Sequence, residues 1–165
     1  MGCEIIRKSN RRNESWYEEH FVSLGICSFH EKYLLLKISL SNKYCPGCWD
    51  FVFSKAEHPG KACDDEMIAS VFEHTGLEGY IADKFKTFRW IDKKSKVCWI
   101  IEPYLICVGG RAISLSDKYC DFRWVTLPEI LSYDDKEERY LEFILSKTGF
   151  LSRFENRNYV LQEAI

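Results

Sequence analysis

Side chains that could do chemistry are concentrated in residues 44–77. Glu66, Ser70 and Glu73 are spaced i, i+4, i+7, so they share one face if this segment is helical. His74 follows directly and adds an imidazole to the same stretch. These groups could hold a ligand together. Alternatively, Glu66 is a solvated charge that stabilises the start of the helix and His74 caps its end.

A C-x-x-C pair, Cys45 and Cys48, opens the same stretch. A second such pair would indicate zinc, and a helix directly after the pair would indicate thiol redox chemistry, but neither context occurs. His58 and Cys63 could complete a metal site with the pair. Otherwise Cys45 and Cys48 are two loop thiols.

Length and composition indicate one globular domain. The chain has 165 residues, of which 46% are hydrophobic and 15% aromatic, and this composition argues against global disorder. The net charge of −2 excludes a polyelectrolyte but permits a local basic patch. No run approaches the ~20 apolar residues that a membrane span needs. The eight cysteines are scattered and no signal peptide is visible, so we expect free thiols and an intracellular, cytoplasmic location.

The pattern of polar and apolar residues predicts the elements that position these side chains. Residues 64–75 are predicted as a helix, because acidic side chains fill the first turn and Gly76 can take the left-handed position that ends it. The expected buried stripe of this helix is Met67, Ile68, Val71 and Phe72. Strands are predicted at 20–29, 33–40, 49–53, 80–91, 97–108 and 122–125, with further helices starting at 127 and spanning 134–147.

The order of these elements is hairpin, loop, helix, hairpin, strand, helix. It implies an α/β (α+β) fold in which a mixed β-sheet is sandwiched between helices. Residues 1–18 are predicted to be a flexible lead-in, residues 19–150 a single domain and residues 151–165 a C-terminal tail.

Residues 44–77 resemble the signature of the Nudix hydrolases. That signature is a glycine, five residues, a glutamate, seven residues, then Arg-Glu-x-x-Glu-Glu-x-Gly and an aliphatic residue, here anchored on Gly76 and Leu77. Two flanking segments support the resemblance. Pro46-Gly47-Cys48-Trp49-Asp50 is similar to the lead-in of the branch related to isopentenyl-diphosphate isomerases, and residues 122–129 resemble a late family segment. The resemblance covers roughly residues 20–147 and implies a Nudix-like fold.

The resemblance also implies a catalytic machinery that this chain has mostly exchanged. Family members bind Mg²⁺ or Mn²⁺ through helix glutamates, which an arginine orients, and the metal activates water for attack at phosphorus. Here the arginine position holds Ala69, the first helix glutamate is Ser70 and the third is His74. The glutamate of the loop is Lys61, so only Glu73 remains. The degenerate box predicts that ordinary family catalysis is lost or greatly weakened.

Several residues stay candidates for a site of this type. Glu73 and His74 could hold a metal, with Glu66 and Glu102 as additional acids; Glu102 could otherwise pair with Lys96 or Arg89. Lys55 and Lys61 would face phosphates in the family loop, although both could equally be solvated lysines paired with Glu57 and Asp64. Trp49 and Ser70 complete the candidate ligand-binding residues, with the tryptophan ring as a stacking face or as part of the core.

Two functional hypotheses of different classes follow from the resemblance. In the first, the chain is a non-catalytic module that binds a nucleotide, RNA or another protein and needs no cofactor. In the second, it is a divergent hydrolase of nucleoside diphosphate-linked substrates that uses Mg²⁺ or Mn²⁺ at a rearranged site. The sequence favours the first without deciding the question of enzyme activity. A third activity, isomerisation of a prenyl diphosphate, lacks the Cys-His-Pro block expected after Trp49.

Overall fold

The computed structural model describes residues 17–56 and 64–152. The strands are β1 (Glu18–Phe29), β2 (Lys32–Ile38), β3 (Trp49–Asp50), β4 (Val52–Lys55), β5 (Gly79–Lys84), β6 (Phe88–Asp92), β7 (Val97–Val108) and β8 (Tyr119–Val125). The helices are α1 (Asp64–Thr75), α2 (Leu127–Ile130) and α3 (Tyr140–Lys147), with a 3-10 turn at Leu131–Tyr133. Most of the predicted lead-in and tail lie outside the described residues, as do Glu57, His58, Gly60, Lys61 and Cys63.

Strands β1 and β7 form the centre of an eight-stranded mixed sheet. They pair in parallel along nearly their whole length, from Glu18 opposite Val97 to Ser28 opposite Cys107. The other pairings are antiparallel: β2 with β1, β3 and β8, β4 with β1, and β5 and β6 with β7. A parallel pair needs a long crossover connection, and α1 lies within the segment that joins β1 to β7.

Helices cover both faces of this sheet. On one face, Met67 and Val71 of α1 join a buried cluster with residues of β2, β7 and β8. On the other face, Ile144 and Leu145 of α3 pack with Ile130 of α2 and with the opposite side of β1. The predicted α/β (α+β) class, a mixed sheet between helices, is confirmed.

Alternate residues of β1 face the two layers. Leu24 and Ile26 point towards α2 and α3, whereas Gly25 faces α1. A Cβ atom at Gly25 would lie 2.9 Å from Cε of Met67. Glycine at this position therefore lets α1 lie close to the middle of the sheet.

Two of the predicted strands are divided in the structure. The strand expected at 49–53 becomes β3, which pairs with β2, and β4, which pairs with β1. The prediction of a single strand at 80–91 was wrong, because the chain leaves the sheet between β5 and β6. A register shift between Ile81 and Asp83 begins this corner, and Phe85 N donates to Pro103 O at 3.0 Å within it.

The last predicted helix was too long at its N-terminal end. It was expected at 134–147, but α3 begins only at Tyr140. The Asp134 carboxylate accepts hydrogen bonds from the backbone N–H groups of Leu141 and Glu142, at 2.8 and 2.9 Å. Asp135 likewise accepts from two backbone groups of the preceding turn. Aspartate side chains that bind nearby backbone N–H groups favour turns and helix starts over helix interiors.

Candidate functional site

Helix α1 buries a different face from the one that the sequence predicts. Its buried residues are Met67, Val71, His74 and Thr75. The prediction that Phe72 is buried was wrong, because its side chain is 55% exposed. Thr75 can be buried since its hydroxyl donates to Val71 O one turn earlier, and His74 finds a hydrogen-bond partner outside the helix. The buried face of α1 is therefore partly polar.

A row of polar side chains crosses the sheet beneath α1. Ser23 of β1 lies opposite Ser54 of β4 on one side and opposite Glu102 of β7 on the other. Paired residues of neighbouring strands place their side chains on the same face. Ser70 of α1 donates to Ser54 Oγ at 2.8 Å, so the face that carries this row is the α1 face. The structure thus brings Ser70 and Glu102, both predicted site residues, to the same face.

His74 is a buried, hydrogen-bonded residue rather than an exposed ligand. Its side chain is 3% exposed, its Nδ1 lies 2.7 Å from Ser116 Oγ, and its ring packs edge-on against Tyr119 with 5.5 Å between centroids. Burial lowers the pKa of His74, and the Lys118 ammonium lowers it further, whereas the Glu73 carboxylate opposes the shift. The imidazole is therefore kept neutral near pH 7.

This burial makes His74 a source of acid sensitivity. The unfolded chain binds a proton near the ordinary histidine pKa of 6.5, whereas the folded chain resists protonation until a lower pH. Stability is therefore lost as the pH falls below 6.5. We expect His74→Gln to reduce this loss, which urea unfolding between pH 5 and about pH 8 would measure.

His30→Asn is the matched control for that prediction. His30 is exposed and has a positive φ of 46°, which asparagine tolerates better than most residues. Its substitution should leave the acid sensitivity of the wild-type chain in place. Equal acid sensitivity in the wild type and in His74→Gln would contradict the role of His74.

The turn before β8 holds the residues around His74 in place. Ser116 N donates to His74 O at 3.1 Å, and Tyr119 N donates to Ser116 O at 3.2 Å. The Tyr119 hydroxyl in turn accepts a 3.2 Å bond from Phe53 N, in β4. The segment between β7 and β8 is thereby fixed to both α1 and β4. Nothing local in the sequence links Ser116 or Lys118 to α1, so neither residue could be predicted to lie beside it.

The structure shows how the predicted site residues of α1 are engaged. Ser70 is bonded to Ser54 and Nδ1 of His74 is engaged by Ser116, while Glu66 and Glu73 are exposed. Within residues 17–56 and 64–152, no three His, Cys, Asp or Glu side chains are grouped so that they could hold a metal ion. Mg²⁺ and Mn²⁺ favour several oxygen ligands. The donor set that the described residues supply does not by itself fit either ion.

The remaining predicted ligand residues are separated by the sheet. Lys55, next to Ser54 at the end of β4, is exposed. Trp49 lies on the other face, packed against the cluster beneath α2 and α3. Its ring meets Tyr133 edge-on at 5.1 Å between centroids, and the Arg123 guanidinium lies 5.6 Å from its centroid. Trp49 is thus placed away from Ser70, and Lys61 lies outside the described residues.

Asp50 is a buried acid for which the sequence analysis proposed no role. It is 8% exposed, accepts a 2.7 Å hydrogen bond from Phe51 N and lies 3.3 Å from the Tyr140 hydroxyl. Burial raises the pKa of Asp50 to about 7, although both hydrogen bonds act to lower it. The local signal was an aspartate between two aromatic residues of a short strand.

Cys45 and Cys48 are joined by a disulfide. The expectation that they are loop thiols was therefore wrong, since the turn brings their Cα atoms within 5.5 Å of each other. Cys27, Cys98, Cys107 and Cys120 are free.

An apolar groove lies on the outer side of α1, beside the start of β5. It has a volume of about 370 Å³ and is lined by Asp65, Ile68, Ala69, Phe72, Leu77, Glu78 and Gly79. The groove is distinct from the polar row at Ser54 and Ser70, because none of the row residues lines the groove.

Among the described residues, no helix is both long and apolar enough to cross a membrane.

Solved structures of other proteins share this arrangement of sheet and helices. A MutT protein from Methanosarcina mazei Go1 is 20% identical with a TM-score of 0.62, and the match covers 88% of this chain and 99% of that one. A Nudix hydrolase from Nitrosomonas europaea is 13% identical with a TM-score of 0.58, covering 73% of this chain and 80% of that one.

A third solved structure is a bifunctional NMN adenylyltransferase/ADP ribose pyrophosphatase from Francisella tularensis, in complex with AMP and a manganese ion. It is 14% identical with a TM-score of 0.60, and the match covers 80% of this chain and 42% of that protein. No protein-family model matches the chain, and no curated protein matches it in sequence. On the architecture and these likenesses together, the chain has the fold of the Nudix hydrolases.

Proposed function

We propose that this Nudix-fold chain is a non-catalytic module that binds the phosphate-bearing part of a nucleotide or of RNA. The observation that carries the proposal is the donor set beneath and beside α1. Ser70 and His74 stand where the family resemblance expects metal-binding carboxylates, and both are held by neutral hydroxyl partners. The Ser54 hydroxyl keeps a proton that a phosphate oxygen can accept. Among the described residues, no three His, Cys, Asp or Glu side chains are grouped to hold an activating cation.

The binding function predicts nucleotide affinity without metal. We expect AMP and ADP to bind the purified chain in the presence of EDTA, and to raise its thermal midpoint because they bind the folded state. We expect no release of AMP from ADP-ribose in the presence of Mn²⁺. Isothermal titration calorimetry measures the first, and chromatography of the reaction mixture measures the second. A short RNA oligonucleotide in the same titration separates a polymer ligand from a mononucleotide.

The divergent hydrolase is the second candidate function. It is favoured by the exposed carboxylates Glu66 and Glu73 on α1 and by Glu102, half-buried on the sheet face that α1 covers. The Francisella tularensis protein, of which the match covers 42%, was solved in complex with AMP and a manganese ion. Glu73→Gln separates the two functions: Mn²⁺-dependent release of AMP that this variant abolishes would overturn the binding function and establish the hydrolase.

A protein partner would use a different surface from a nucleotide. The groove beside β5 and the exposed Phe72 ring offer apolar area outside the polar row. Retained nucleotide binding in Phe72→Ala would place the nucleotide away from the groove.

The free thiols support an intracellular, cytoplasmic location, whereas the Cys45–Cys48 disulfide weighs against a strongly reducing compartment.

A further inference from the structure

Lys118 is an exposed cation held on a rigid part of the fold. Its carbonyl oxygen accepts a 2.9 Å hydrogen bond from Ser39 N, and the neighbouring Tyr119 N donates to Ser116 O. The Tyr119 side chain is buried and bonded to β4. The backbone that carries Lys118 is thus hydrogen-bonded on both sides of this residue.

The ammonium of Lys118 lies at the surface beside the α1 site. Its Nζ is 5.9 Å from the centroid of the Phe53 ring, and its charge lowers the pKa of the buried His74 imidazole. Among the charges that act on His74, Lys118 has a larger effect than Glu73.

Lys118 has no salt bridge to a carboxylate within residues 17–56 and 64–152. By contrast, Lys84 is paired with Asp64, and Lys94 lies 3.9 Å from Glu138. A lysine on a fixed turn beside a neutral histidine can bind an anion without first breaking an ion pair. This distinguishes Lys118 from the paired lysines of the same chain.

Hydroxyl donors lie on the α1 side of the same region. Ser70 donates to Ser54 Oγ, which leaves the proton of the Ser54 hydroxyl available for another acceptor. Ser116 lies two residues before Lys118 and contacts the ring of His74. Helix α1 connects the two hydroxyls, since Ser70, which donates to Ser54, lies one turn before His74, which contacts Ser116.

We propose that Lys118, with the hydroxyls of Ser54 and Ser116, forms a metal-independent site for the phosphate of a nucleotide. The ammonium supplies the positive charge that a divalent cation would supply if the α1 side chains could hold one. This inference rests on the proposed function and names the cation through which it works. Within residues 17–56 and 64–152 no cluster of carboxylates is placed to hold a cation there, and such a cluster would neutralise Lys118 and repel the phosphate.

The test uses ADP as probe, in EDTA, with the full chain and three variants. Lys118→Met removes the charge but keeps a long side chain, and we expect it to weaken ADP binding by about tenfold or more. Lys118→Arg keeps the charge and should retain most of the affinity. Lys147→Met is the matched control, because Lys147 is also exposed and lies 5.4 Å from the centroid of a phenylalanine ring, that of Phe143 on α3. It should bind ADP as the wild type does.

Three other results of the ADP titration would each overturn a stated part of the proposal. ADP binding with equal affinity in Lys118→Met and wild type overturns the Lys118 site and leaves the proposed binding function intact. Binding that appears only when Mg²⁺ or Mn²⁺ replaces EDTA overturns the metal-independent site. If wild-type protein fails to bind ADP, AMP or RNA at millimolar ligand under either condition, both this site and the proposed function are wrong.

Discussion

Met67→Ala is expected to lower the free energy of unfolding by about 2–4 kcal/mol. Met67 is 1% exposed, and its Cε fills the space that Gly25 leaves open beneath α1. Truncation removes buried methylene groups and leaves a cavity between α1 and β1. The rigid central strands of the sheet cannot close that cavity, because β1 is paired on both sides. Urea unfolding at pH 7 followed by tryptophan fluorescence measures the change.

Phe72→Ala is the control for Met67→Ala, and it separates the observed face of α1 from the predicted one. The sequence pattern places Phe72 in the buried stripe, whereas the structure leaves more than half of its side chain exposed. We expect a loss of less than about 0.5 kcal/mol for Phe72→Ala. Similar losses for both variants would mean that α1 is rotated relative to the orientation described above.

The bounds of α1 could be predicted from the sequence because its signals are local. The acidic first turn and the glycine stop specify residues 64–75, and Gly76 has the positive φ of 73° that the stop requires. The face of α1 was mispredicted because hydrophobicity alone ranks Phe72 above His74. The partner that makes His74 a buried residue is Ser116, which lies 42 residues away in sequence. Such a contact exists only once β8 is in place.

Residues of the candidate site could be predicted from the sequence only where a local signal marks them. The resemblance singled out Ser70, and the structure gives it a partner in β4. It did not identify Ser54 as that partner, because the register of β4 against β1 is set by pairing across the sheet rather than by local sequence. Lys118 lies in a turn, where exposed lysines are common, so a lysine at this position did not indicate a binding site. Its position relative to α1 came from the fold.

Asp50 is expected to make the chain less stable as the pH rises from about 4 to about 7. The ordinary aspartate pKa is 3.8, and burial raises the pKa of Asp50 to about 7 in the folded chain. Between these values the unfolded state releases a proton that the folded state keeps, so ionisation favours unfolding. The stability present below pH 3.8 is lost as the pH rises through the folded pKa, by about 4 kcal/mol in all.

Asp50→Asn isolates this contribution from the other titrating groups. The amide oxygen can still accept from Phe51 N, and the amide NH2 can donate to the Tyr140 hydroxyl, which also accepts; the group does not ionise. Asp121 and Asp135, whose pKa values are lowered mainly by backbone hydrogen bonds, act in the opposite direction as the pH falls. Their effects are common to the wild type and the variant, so they cancel in the difference between the two.

The stability of Asp50→Asn relative to wild type should therefore rise with pH, and urea midpoints measured at several values between pH 4 and about pH 8 follow it. Asp83→Asn, at an exposed carboxylate of β5, should track the wild type throughout. A constant difference between wild type and Asp50→Asn would show that Asp50 ionises at its ordinary pKa, hence that water reaches it. A rising difference would mean that Asp50 is protonated in much of the folded population near neutral pH. In that case the strand that carries Trp49 is held by a neutral carboxyl group bonded to α3 rather than by a charge.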